Sequence, residues 1–503
     1  MIDMTREIST MADGGAALFK LKTSSVCAAI QLLEAGETVS FIARYRKAQT
    51  GGMKHAPLRY MVERLEQRNM LRERRETMLE TLKAQDKLTP ELESRLMAAE
   101  TRATLEDVYL PYTNKQKSPA ARARSVGLEP LAEALFEDST RDPEHEAASF
   151  VSEENHVPGV AAALAGAQHV LVEKWAQNLE VLEHLRTYFW EHGVLTAELS
   201  PAIKTKKSKQ AHVGKHPIKW AEYVETATPI KTLPLHRVHM LFRGRREAAL
   251  QLRLNLPDVT YAVRYLAQHM NIVDDARPAH PWLLGCVATL WEKKIAPKIE
   301  TEVLACLRRR ADDEAIHGLT KQLRGLLLTP PAPRGVTMGL FFERRSGLSV
   351  AVVDDKGTVL DDTSLFPFSP DHQWEHAITG LAKCLAKHNV RWVVMGHSLG
   401  FREAKRLLST LANRYPDMPF TVMHTHELGA AAYATSDTGV EALPDVYVPR
   451  RSAVSMARRF QNPLEELIKM SPRAMILAPH QHDMNQHLVE HALTGVMIDC
   501  VNA

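Results

Sequence analysis

Pro330, Pro331 and Pro333 fall within four residues and divide the 503-residue chain into two parts of different kind. Proline has no N–H to give a helix ladder and pushes the residue before it toward extended backbone, so a helix stops at such a run. Ahead of it, residues 1 to about 330 read as almost entirely helical. Val26, Ile30 and Leu33 follow the 3.6-residue period, and Gly36 stands where a left-handed C-terminal cap belongs. Leu71, Met78, Leu79 and Leu82 mark a second helix that reaches Ala84. Thr89-Pro90-Glu91 opens a third with a hydroxyl cap, a first-turn proline and a first-turn acid. The same pattern predicts helices over residues 161–175, 180–191, 259–269 and 282–307. Only residues 248–254 alternate as a strand does.

Beyond the prolines the order changes. Residues 336–342, 348–353 and 358–366 are strand-like, with a turn at Asp354-Asp355-Lys356-Gly357. Helix (373–388), strand (391–395), helix (402–414), strand (420–424) and a short helix from Glu427 follow. Three meandering strands and then alternating helix and strand is the order of an RNase H-like domain. The expected fold class is therefore multidomain, a mostly α N-terminal region followed by an α/β RNase H-like domain. We expect segments at 1–200, 201–330 (a helical connector with a basic loop), 331–455 and 456–503.

No apolar stretch approaches the roughly 18 residues that span a bilayer, so no membrane partner is expected. The first 18 residues hold Asp3, Glu7 and Asp13 and no apolar core, which argues against a signal peptide and for the cytoplasm. The five cysteines are widely spaced and form no CxxC pair, which excludes a thiolate zinc site and a disulfide framework. His-x-His at 424/426 and 480/482, and His487 with His491 one helical turn apart, lack a defined third ligand. No metal or other cofactor is expected.

Net charge is only +3, from 63 basic and 60 acidic residues, so any attraction to nucleic acid must come from local patches. The strongest is residues 201–219, with Lys204, Lys206, Lys207, Lys209, Lys215 and Lys219 and no acid. Such a segment can contact phosphates, or be an ordinary solvated loop; no aromatic residues are interleaved to stack bases. Arg243, Arg245 and Arg246 around Gly244, and the pair Arg458-Arg459, are smaller versions. Residues 331–503 hold 17 basic and 18 acidic side chains and offer no basic platform.

Gly396-His397-Ser398-Leu399-Gly400 fits the G-x-S-x-G nucleophile elbow, between an apolar strand and a helix, with Asp445 and His482 following in hydrolase order. Three features oppose a hydrolase. No HGGG-like oxyanion segment precedes the motif, only about 100 residues follow it, and the strands before it form a meander.

Several ordered segments resemble the bacterial Tex family of transcription accessory proteins. Gly36-Glu37-Thr38-Val39-Ser40-Phe41-Ile42-Ala43-Arg44-Tyr45-Arg46-Lys47 is similar to its TVPFIARYRKE signature, and Leu105-Glu106-Asp107-Val108-Tyr109-Leu110-Pro111-Tyr112 to its LEDLYLPY segment. Gly127-Leu128-Glu129-Pro130-Leu131-Ala132, His236-Arg237 with Arg243-Gly244, and the run from Ala453 to Leu464 resemble further family motifs. The resemblance implies a helical N-terminal region with a helix-turn-helix-like element, then a YqgF/RuvC-like RNase H domain over about 333–455. It implies nucleic acid, RNA or DNA, as partner. Asp499-Cys500-Val501-Asn502 resembles the point where the family's helix-hairpin-helix and OB-fold modules would begin, so the chain reads as shortened before them.

Two-metal nucleases of this fold need several carboxylates converging on two cations. The family's first-strand acid lies in GLDPG; here Gly339-Leu340-Phe341-Phe342-Glu343 aligns, and Phe341 has no oxygen for a hard cation. Glu427 matches the family's NEAG glutamate and Asp483 the aspartate of QHDV. Glu343, two residues on, shares the strand face of Phe341 and is the candidate substitute. The GHSLG loop aligns with a family loop of which Gly396 and Arg402-Glu403 remain. The expected function is a non-catalytic nucleic-acid-binding protein of transcription or RNA metabolism. The alternatives are a protein-interaction scaffold for the transcription machinery, a RuvC-like nuclease and a serine hydrolase.

Overall fold

The computed structural model describes residues 21–502, apart from residues 100, 113–117, 153–155, 201–219, 225–226, 273–276, 344–346, 369–371 and 398–399. The chain forms two compact units, Met1–Ala311 and Asp312–Ala503.

The first unit is helical. Its longer elements are α1 (Thr23–Glu34), α2 (His55–Ala84), α3 (Val160–Trp175), α4 (Leu179–His192), α5 (Leu235–Arg246), α6 (Val259–His269) and α7 (His280–Leu290), joined by a π turn (Trp291–Ile295) to α8 (Ala296–Leu327). Side-chain caps start α4, α6 and the shorter helix Pro90–Ala98, where the sequence puts a short polar residue. Thr89 accepts from Leu92 N at 3.2 Å, Asn178 from Val181 N at 3.2 Å and Asp258 from Thr260 N at 2.9 Å. The expected helix over 282–307 is longer than read and is broken once, by the π turn.

A three-stranded antiparallel sheet interrupts the helices, where the sequence reading placed one strand. β1 (Val194–Leu199) lies between β2 (Ala227–Pro229) and β3 (Leu250–Asn255), with Leu195 opposite Leu254 and Ala197 opposite Leu252. Leu195 and Ala197 are buried while Thr196 and Glu198 are not, the alternation of a strand with one wet face.

The second unit holds the five-stranded sheet in the order β6-β5-β4-β7-β8: β4 (Thr337–Glu343), β5 (Gly347–Val353), β6 (Val359–Leu365), β7 (Trp392–Met395) and β8 (Thr421–His424). β4, β5 and β6 form an antiparallel meander, and β7 and β8 run parallel to β4. This is the arrangement expected from strand order, and each strand lies within one residue of its expected bounds. α9 (Trp374–His388) and α10 (Phe401–Arg414) cover one face, where Met338, Leu340, Ile378, Leu381 and Leu407 form a core. α11 (Val448–Gln461) covers the other and runs unbroken through 455–456. α12 (Gln486–Val501) packs Leu493 and Met497 against Leu319, Leu323 and Leu327 of α8. Among the described residues no helix is long and apolar enough to cross a membrane. All five cysteines are free thiols.

Candidate functional site

β4 is the middle strand, so its alternate side chains meet opposite layers. Gly339 and Phe341 face α11, which comes so close that a Cβ on Gly339 would sit 2.0 Å from the carbonyl oxygen of Ala453. Phe341 is 7% exposed and packs in one cluster with Ala351, Ala430, Val454 and Met456. The first-strand position to which the family resemblance assigns a carboxylate is thus filled by a ring that is part of the sheet–helix core. Glu343, the candidate substitute, ends the strand on the same face and is half-buried.

Glu427 lies in the loop after β8, half-buried. It packs directly on Gly396, whose added Cβ would fall 1.8 Å from Glu427 Oε1. Gly400, at φ 78°, has Phe342 beneath it, and a Cβ added there would fall 2.5 Å from a ring carbon. Both glycines of the G-x-S-x-G look-alike are therefore required by packing, one by Glu427 and one by Phe342. Ser398 itself lies outside the described residues. Asp445 precedes α11 and lines a cleft beside the β5–β6 turn, and His482 lies in the short turn Gln481–Asp483. Among the described residues no hydrogen bond joins these two.

Asp483 is 7% exposed, with His480 Nδ1 4.0 Å away. A shallow cleft of about 410 Å³ runs past Glu427, lined by His397, His426, Gly429 and Ile476. His397 stacks on His424 at 4.7 Å between ring centroids, and burial with the nearby His397 and Lys405 lowers the proton affinity of His424. Among the described residues no three His, Cys, Asp or Glu side chains are placed to share a metal ion.

The two arginines of the 458–459 pair have different fates. Arg459 is 2% exposed, and its guanidinium donates to the carbonyls of His426 (2.5 Å) and Leu428 (3.0 Å) and to Ser455 Oγ (3.0 Å). Burial pulls its pKa down to about 10, with Glu466 and Glu427 acting against that shift. This corrects the expected phosphate contact: a guanidinium enclosed by backbone carbonyls has no edge left for a ligand. It holds instead the loop that carries Glu427. Arg458 is half-buried and donates from Nε to Gly357 O at 2.7 Å. Gln461, one turn on, donates to Asp354 O at 2.7 Å and Thr337 Oγ1 at 3.1 Å. The family-like run on α11 thus acts as a clasp on the sheet.

Lys204, Lys206, Lys207, Lys209, Lys215 and Lys219 lie outside the described residues. Arg243 pairs with Glu247 at 2.8 Å, whereas Arg245 and Arg246 are exposed at the end of α5, where the helix dipole favours cations. Gly244 lets α5 meet β3, since a Cβ there would lie 2.5 Å from Leu250 Cδ1.

Sequence reading missed the role of Asp107 in the LEDVYLPY segment. Its carboxylate, 4% exposed, receives Arg186 and Lys298 at 2.5 Å each, and Arg186 also reaches Glu302 at 2.6 Å. A buried acid in a helix is a signal of such a pivot, but nothing in the sequence names the partners, 79 and 191 residues away.

Family models match three successive parts of the chain: Tex-like protein N-terminal domain over residues 11–83, Tex central region-like over 138–318, and Tex protein YqgF-like domain over 335–461. Protein tex of Bordetella pertussis is 36% identical over 96% of this chain and 61% of its own length. Transcriptional accessory protein Tex of Neisseria gonorrhoeae is 34% identical over 96% of this chain and 62% of its own. S1 RNA-binding domain-containing protein 1 of Homo sapiens is 26% identical over 95% of this chain and 48% of its own. The chain spans about three-fifths of the length of the bacterial relatives.

Proposed function

The chain belongs to the Tex family, and from that premise we propose that it binds nucleic acid through phosphate contacts in transcription or RNA metabolism and performs no reaction of its own. The binding half of the reading is supported by relatives named for transcription and for an RNA-binding domain. The non-catalytic half is carried by Phe341. A two-metal phosphodiester cleavage needs an oxygen at the first-strand position to fix a cation beside the scissile phosphate, and Phe341 puts carbon there, packed under α11. Glu427 and Asp483 remain as parts of a loop and a turn. The phosphate contacts fall to the first unit, through Lys204, Lys206, Lys207, Lys209, Arg243, Arg245 and Arg246; the second unit carries nearly balanced charge. The transcription machinery is the natural protein partner on this reading.

A filter-binding panel of single- and double-stranded DNA and RNA across a salt titration tests it. We expect micromolar or tighter binding at 50 mM salt, with log affinity falling linearly in log salt by about 0.9 per phosphate contact on duplex DNA. The bound strand is expected to stay intact with Mg²⁺ or Mn²⁺. Absence of binding at 50 mM salt would falsify the first half of the reading, and metal-dependent cutting the second.

A further inference from the structure

The long helix α8 carries three consecutive exposed arginines, Arg308, Arg309 and Arg310, at the end of the first unit. Two of them lie over aromatic rings from other helices. Arg308 Cζ is 5.7 Å from the ring centre of Phe242 on α5, and Arg310 Cζ is 5.1 Å from that of Trp190 on α4. Both rings are half-buried, with the inner edge in the core of the unit. A guanidinium over such a face is held by the ring quadrupole and by the packing of its methylenes. The side chain entropy that a phosphate contact would otherwise cost is thereby already spent.

Asp313 and Glu314 follow Arg309 and Arg310 at i+4. Neither arginine has an ion pair among the described residues, and both acids are exposed. Elsewhere on these helices the charges are matched: Arg186 with Glu302, Arg243 with Glu247. α5 runs against α8 here, with His239 Nε2 3.1 Å from Ala311 O and Phe242 under Arg308. One turn beyond Phe242 it ends in the exposed Arg245 and Arg246. The chain thus brings two arginine clusters, more than 60 positions apart in sequence, onto adjoining helices, with Phe242 under Arg308.

We infer that Arg308 and Arg310, seated on Phe242 and Trp190, together with Arg309 between them in sequence and with Arg245 and Arg246, form a surface that binds the phosphodiester backbone of a nucleic acid. Planar guanidinium forks match phosphate oxygens in pairs, which a lysine ammonium, a point charge, does not do. The inference rests on the proposed function above and gives that binding an address separate from residues 201–219.

The test uses the full chain, with the double variant Arg309→Gln/Arg310→Gln beside Lys204→Gln/Lys206→Gln. Single-stranded RNA, single-stranded DNA and duplex DNA are titrated at several salt concentrations. The arginine variant is expected to lose about tenfold in affinity per arginine at 50 mM salt and about one unit of salt slope per arginine, on every strand type. Trp190→Leu, which keeps all charges, is expected to lose several-fold, with a thermal melt confirming that the unit folds. If the wild-type chain binds and the arginine variant binds equally well with an unchanged slope, this surface is refuted while the broader reading stands. If the wild-type chain binds none of the strands, both fall.

Discussion

Arg459 illustrates what a residue type does not reveal by itself. In sequence it is half of a basic pair. In the fold it donates to two loop carbonyls, those of His426 and Leu428, at 2.5 and 3.0 Å. That role depends on the loop after β8 closing over α11, a contact between positions more than 30 apart, so no local pattern could announce it. The packing of Phe341 was the easier reading, because an aromatic ring in a central strand is stabilised by burial. The two glycines of the elbow look-alike were visible but misleading, since a spacing rule cannot say whether a glycine is needed by a nucleophile or by a neighbouring side chain. For Arg459→Met we expect a loss of about 2–3 kcal/mol in urea unfolding, from carbonyls left buried without a donor. Arg458→Met, which gives up one half-exposed hydrogen bond, is expected to cost about 1 kcal/mol. Equal stability of Arg459→Met and wild type would contradict the clasp.

Elements, by contrast, were largely readable. Many helices show a hydrophobic period or a capping residue, and β4 and β5 read as short apolar runs bounded by turn signals. β1 and β2 were lost because a three-residue strand has no period, and because β1 follows α4 after a single glycine. The π turn at Trp291–Ile295 was hidden for a different reason: one extra residue in a turn leaves the hydrophobic period nearly intact. Edge strand β6 is held from both faces. Asp361 receives Lys387 (2.8 Å) and His388 (2.9 Å) from α9, and Asp362 receives Arg450 (2.8 Å) from α11. The hydrogen bonds from Lys387 and His388 hold the Asp361 carboxyl below the ordinary carboxylate value. A depressed folded-state pKa means that the folded chain binds the proton less tightly than the unfolded one. The associated stability is therefore complete above the ordinary value of 3.8 and disappears as pH falls through the lowered one. Asp361→Asn is expected to cost less than about 1 kcal/mol at pH 7, because the pair is partly solvated. Its difference from wild type should shrink below about pH 4 and in high salt; a gap that persists unchanged at pH 3 would show the effect is packing and not charge.

At the scale of the whole molecule, the visible break in the sequence and the division of the folded chain fall at different places. The prolines at 330–333 end the helix, which stops at Leu327, and the sequence changes character there. Yet the second compact unit starts at Asp312, inside α8. Leu319, Leu323 and Leu327 are the reason: each is at most 3% exposed and packs with Leu467, Met475 and Leu493, all far downstream. A helix face shows its period in sequence but not which unit it serves, so a boundary read from composition lands at the loop. The consequence is measurable with two fragments. Residues 312–503 keep the three leucines; residues 331–503 lose them and expose the apolar surface beneath. Burying one leucine side chain is worth about 1.5–3 kcal/mol, so the shorter fragment forfeits roughly 5–9 kcal/mol, comparable with the whole stability of a domain of this size. The longer fragment is expected to unfold cooperatively in urea with a native near-ultraviolet dichroism, and the shorter to aggregate or lack a transition. A shorter fragment that unfolds at the same urea midpoint would mean that the part of α8 from Asp312 to Leu327 does not stabilise the second unit.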